Sequence, residues 1–153
     1  MPASRRSLLA ILLAVSLTRS SLLRAAEEPS PVPGKRVALQ GYDPVSYFAD
    51  GRPEKGSSAF WLAFDDTVYL FKNAEHRAAF ANDSERYAPQ YDGFCAMTVS
   101  TGVKAEADPE AWIIADGKLF VFRSKAGVAA FNKNAPAVAS QADSHWQSIK
   151  KAR

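Results

Sequence analysis

Cys95, Met97 and His76 are the side chains in this sequence with the clearest chemical potential. Cys95 is the only cysteine in 153 residues and sits in the stretch GFCAMTV at 93–99. A thiolate and a thioether are soft ligands that suit Cu(I). If this stretch is a strand, side-chain alternation puts Cys95, Met97 and Val99 on one face, and two of them are close enough to share an ion. The same thiol could do redox work instead. With no second cysteine to resolve an intermediate, that cycle needs an external thiol or a partner protein. The third option is a small apolar side chain in the core, since free cysteine is among the most buried residue types.

His76 falls in the first turn of an expected helix, where the helix dipole favours the neutral ring that can ligate a metal or act as a base. The plain expectation is a surface histidine between Glu75 and Arg77. His145 precedes Trp146 and lies beside an apolar stripe, so it too is expected at the surface. Asp43 is followed by Pro44 and is expected to start a turn, with an oxygen ligand or a proton acceptor as the alternative. A Cys–His nucleophile needs a third orienting group and an oxyanion hole, and no motif announces either. Gly-rich phosphate loops, H-E-x-x-H, paired C-x-x-C, C-x-x-C-H and calcium loops are all missing from the sequence. Binding is therefore a better expectation than catalysis.

The elements that must position these residues are legible. Residues 60–64 and 67–71 are apolar or β-prone runs separated by Asp65-Asp66, which predicts a hairpin. Asn73 can then cap a helix over about 74–81. Further on, 111–115 and 118–122 flank Asp116-Gly117, a strong two-residue hairpin signal, and Ser124 can cap a helix over 125–133. The two units align at a spacing of 51: Trp61 with Trp112, Asp65 with Asp116, Phe71 with Phe122, Phe80 with Phe131. This register predicts an internal duplication, with repeats over about 43–83 and 94–134. Tyr87, Pro89 and Tyr91 read as an aromatic loop packed between them. A last helix is expected over about 136–150, where Val138, Ala142, Trp146 and Ile149 make one apolar stripe.

Ahead of this body, residues 27–38 contain three prolines and a glycine and read as an extended linker, so the folded domain is expected from 39 to 153. Residues 1–26 have the parts of an export signal: Arg5-Arg6, an apolar run from Leu8 to Leu17, then a polar stretch ending in Ala25-Ala26. The stretch SRRSLL at 4–9 resembles a twin-arginine signal, with an ordinary secretory signal as the alternative. An apolar run of ten spans about half a bilayer core as a helix, so a membrane span is not expected. The formal charge is +3, yet residues 1–26 hold four arginines and no acid. Without them 15 basic residues face 16 acidic ones, which removes the basic domain that nucleic-acid binding requires.

The stretches GYDPVSYF at 41–48, DDTVYLFKNAEHRAAF at 65–80 and YAPQYDGFCAMTV at 87–99 resemble the YHS domain, and more closely the exported YHS-domain proteins of bacteria. The resemblance covers about 39–149. It implies a small α+β module, treble-clef-like and degenerate, with duplicated β-hairpin–helix units, a C-terminal helix and a metal link. YHS-type modules occur beside copper and heavy-metal transport proteins, and exported relatives include selenoproteins whose selenocysteine falls at the position of Cys95. Where metal-binding YHS modules commonly carry a cysteine after Asp-Pro-Val, this chain has Ser46. Where a Phe-Cys-x-x-x-Cys pattern often opens the helix, it reads Phe71, Lys72 and His76. The expectation is a periplasmic or secreted binding module holding a soft metal, copper favoured, through Cys95 with Met97 or His76, and working with a metal-handling or redox partner protein. The alternatives are a Cys95 redox protein and an interaction domain with Cys95 buried.

Overall fold

The structure, a computed structural model, describes residues 29–152. The export signal expected at 1–26 lies outside the described residues. The fold is α+β, and hairpins lead it. Strand β2 (Ser57–Phe64) pairs antiparallel with β3 (Thr67–Phe71). Asp65 and Asp66 turn the chain with φ of 52° and 68°. Two successive left-handed residues give the twist a two-residue hairpin needs. Every residue of β3 is buried, because β1 (Arg36–Val37) pairs with its other edge in parallel. β1 lies inside the stretch read from sequence as an extended linker. Its two residues carry too little periodicity to show as a strand. They are held by β3, which is remote in sequence.

After β3, Asn73 accepts a 2.8 Å hydrogen bond from the His76 backbone amide and starts α2 (Ala74–Asn82). Only His76 and Phe80 of this helix are buried. Phe80 anchors it to the hairpin, with ring centroids 4.9 Å from Tyr69 and 5.1 Å from Phe71. The second unit has the same plan. Strands β4 (Asp108–Ala115) and β5 (Lys118–Phe122) join through Asp116-Gly117, with φ of 49° and 72°. Ser124 caps α5 (Lys125–Lys133), and Phe131 lies 4.9 Å from Phe120 and 5.2 Å from Phe122. The strands of both units have eight and five residues and the helices nine. Both pairings shift register at the same place, before Trp61 and before Trp112.

Each unit is introduced by a tight left-handed turn and a short helix. Leu39, Gln40 and Gly41 have φ of 53°, 50° and 82°, and Tyr91, Asp92 and Gly93 have 57°, 52° and 80°. Left-handed backbone costs a non-glycine residue about 1–2 kcal/mol, so packing must hold these turns. Leu39 and Tyr91 supply it, both buried in the core. The helix after the first turn is α1 (Ser46–Ala49). Between the units lies α3 (Ser84–Tyr87), and after the second turn comes α4 (Ala96–Val99).

The strand that a shared Cys95–Met97 face would require does not form over 96–99, which is α4. Phe94 pairs with Glu106 in a single antiparallel bridge and Cys95 donates its amide to Ala105 O at 2.9 Å, but the Cys95 carbonyl then accepts from Val99 N at 3.0 Å and the chain turns into α4. The final helix α6 (Ala135–Ile149) buries Ala142 and Trp146, the latter 5.8 Å from Tyr91 and 6.2 Å from Phe94. Among the described residues no helix is long and apolar enough to cross a membrane.

Candidate functional site

The most polar point of the interior is Asp43, at the exit of the first left-handed turn. Tyr42 N donates to Leu39 O at 2.9 Å and Asp43 N to Glu54 O at 2.8 Å, which fixes the Asp43 backbone. Its side chain has no solvent exposure. Oδ1 accepts from Val45 N at 2.8 Å, and Oδ2 accepts from Lys72 N at 3.0 Å and lies 2.7 Å from His76 Nδ1. One carboxylate thus ties the start of α1, the end of β3 and the first turn of α2 together. A buried carboxylate is tolerated only with such a set of donors. Ser46 locks the same corner. Its hydroxyl donates to Asp43 O at 2.7 Å and accepts from Glu54 N at 3.1 Å. Ser46 is therefore a backbone clamp.

His76 is not the surface residue expected from its neighbours. Asp43 draws the ring under the hairpin, leaving 11% of the side chain exposed. An ionised carboxylate can only accept, so Nδ1 is the donor and Nε2 is the ring nitrogen turned away from Asp43. Nε2 makes no hydrogen bond among the described residues, where no buried side-chain nitrogen or oxygen lacks a partner. It must therefore reach solvent. Beside it Lys72 Nζ pairs with Asp50, which holds the Asp50 carboxyl below the usual range and raises the Lys72 ammonium. The cluster presents one oriented imidazole nitrogen next to a neutralised ion pair.

The other predicted ligands lie elsewhere. Cys95 is 2% exposed in the core and its thiol makes no hydrogen bond. Met97 is half-buried on α4. Cys95 is the extended N-cap of α4 and Met97 lies in its first turn, so the continuous strand face that suggested a Cys95–Met97 ion site does not form. Among the described residues, no three His, Cys, Asp or Glu side chains stand close enough to hold a metal ion. No such group includes Cys95 or His76. His76 Nε2 alone keeps the character of a ligand. His145 is exposed on α6, as expected.

The Asp43–His76 pair was missed in the sequence, though a signal for it existed. Cys95 N donates to Ala105 O just as Asp43 N donates to Glu54 O, and Phe94 N to Tyr91 O as Tyr42 N to Leu39 O. Asp43 and Cys95 are therefore corresponding positions, as are His76 and Gly127, each donating its amide to the helix-cap side chain. Extending the sequence register back past the hairpins, with one residue of slack, aligns GYDP with GFCA. Comparison with protein-family models, with curated proteins and with solved structures gives no match.

Proposed function

We propose that the chain is an exported binding module of the YHS type, a duplicated hairpin–helix unit, which holds a transition-metal ion through Nε2 of His76. The observation that carries this reading is the 2.7 Å contact between Asp43 Oδ2 and His76 Nδ1, with the carboxylate wholly buried. Metal-binding histidines almost always give their second nitrogen to such a partner, which fixes the tautomer and raises the basicity of the ligating nitrogen. Imidazole suits copper(II) and zinc. One protein ligand makes a shallow site whose remaining positions go to water or to a metal-handling partner. Cys95 belongs to the core and not to the site. The duplication is supported by equal element lengths, matching register shifts and matching left-handed turns in the two units. Export rests on the composition of residues 1–26.

The test is a titration of the mature protein, residues 27–153, with copper(II) and with zinc, followed by the ring signals of His76 in NMR. Stoichiometric uptake is expected, with Nε2 as the perturbed nitrogen. His76→Ala abolishes it and Cys95→Ser preserves it. Uptake that survives His76→Ala but disappears in Cys95→Ser returns the site to the thiol, and no uptake at all ends the metal reading.

A further inference from the structure

A cleft of about 240 Å³ opens where α6 meets the second left-handed turn and the β2–β3 turn. One wall is aromatic, formed by Tyr91 and Trp146 in an edge contact of 5.8 Å. The other groups are charged. Asp143 accepts from the Tyr91 hydroxyl at 2.9 Å. Lys150 seats its ammonium on Asp65. Asp92 has no side-chain hydrogen-bond partner among the described residues although it is half-buried. Desolvation pushes its carboxyl up and the Asp65 charge adds to this, while the charges of Lys150, Arg36 and Lys104 only partly offset it. Glu85 adds a further carboxylate to the lining. The cleft therefore holds one ammonium of its own and still carries uncompensated negative charge.

We propose that this cleft binds an alkylammonium or alkylguanidinium cation, with its charge against Asp92 and Asp143 and its carbon stem on the Tyr91–Trp146 wall, in competition with Lys150. Aromatic faces attract cations, and carboxylates supply the charge-assisted hydrogen bonds. The volume lies below the roughly 300–1,000 Å³ of pockets for drug-sized ligands, which suits a group the size of a basic side chain. A bare metal ion is a poorer fit, because no three carboxylates converge. Lys150 shows the chemistry already in use, since an ammonium on a flexible stem occupies the mouth.

The experiment titrates the mature protein with n-butylguanidinium and, separately, with the capped peptide acetyl-Gly-Arg-Gly-amide. Amide shifts of 90–93 and the Trp146 indole signal are followed at constant ionic strength. Both regions are expected to shift saturably. Asp92→Asn is expected to weaken binding about tenfold, the loss of one charge-assisted contact. Asparagine tolerates the left-handed backbone at this position, so the variant keeps the turn. Lys150→Ala is expected to tighten binding about threefold by removing the internal competitor. Binding of the small cation alone identifies a free amine or guanidine as the ligand, and equal or tighter peptide binding identifies a basic side chain of a partner. Shifts no larger than sodium chloride causes, an Asp92→Asn affinity equal to wild type, or weakening by Lys150→Ala would each overturn the proposal. His76→Ala should leave this binding intact, which separates it from the metal site.

Discussion

The first hairpin–helix unit carries Asp43 and His76 where the second carries Cys95 and Gly127. The backbone around the two positions is nearly the same, down to the amide that each donates across to the following loop. What differs is the way each junction is held. In the first unit a buried carboxylate collects two backbone amides and an imidazole. In the second a thiol packs into the aromatic core without a hydrogen bond, and the helix approaches β5 so closely that a Cβ on Gly127 would sit 3.1 Å from Phe122 Cβ. Matching backbones thus serve different ends. A polar junction can present a chemical group to solvent, because its ligating nitrogen is left over once the buried charge is satisfied. An apolar junction contributes burial and little else.

The largest effect that would sharpen this contrast is at Asp43. Asp43→Ala strands the amides of Val45 and Lys72 and the Nδ1 of His76. It is expected to cost about 3–5 kcal/mol, the usual result of breaking a buried charged network from one side. Cys95→Ala, at the corresponding place, should cost about 1–2 kcal/mol for a small lost side chain. Urea unfolding of the two variants compares them directly, and equal losses would break the contrast.

A second test replaces the thiol. Cys95→Ser puts a hydroxyl among apolar side chains and is expected to destabilise by about 1–3 kcal/mol. In the native protein the thiol should react with a disulfide reagent only as fast as the core opens. Fast labelling without unfolding would make Cys95 a reactive group and return it to the candidate site.

The smallest effect is expected at Gly127. A Cβ there meets Phe122 slightly too closely, while alanine improves the helix by about 1 kcal/mol. Gly127→Ala should therefore change stability by less than about 1 kcal/mol in either direction. A larger loss in thermal unfolding would show that the absence of a side chain at 127 is itself needed.

Much of this plan could be read before any coordinates. Both hairpins, both capped helices and the stripe on α6 follow from local chemistry: Asp-Asp and Asp-Gly in turns, Asn73 and Ser124 as caps, apolar residues at helical spacing. The helix expected at 125–133 is found as Lys125–Lys133. The reading was weaker where local pattern and long-range pairing disagree. Residues 94–99 alternate well enough to look like a strand, but they pair only at the Phe94–Glu106 bridge before the chain turns into α4. β1 has almost no pattern of its own and exists because β3 offers it an edge.

The sequence by itself determined the α+β class, the two hairpins and the helices that follow them, because each depends on residues close together in the chain. It also narrowed the chemistry to a few side chains. Only the tertiary structure decided which of them act together. Asp43 and His76 are 33 residues apart, and their 2.7 Å contact depends on how α2 lands beside the first left-handed turn. Cys95 and Met97 are neighbours in sequence, but Cys95 is buried in the core as the cap of α4 and Met97 is half-buried in its first turn. Turns and caps are set by the preferences of a few adjacent residues, whereas a site is set by where packing brings distant segments to rest.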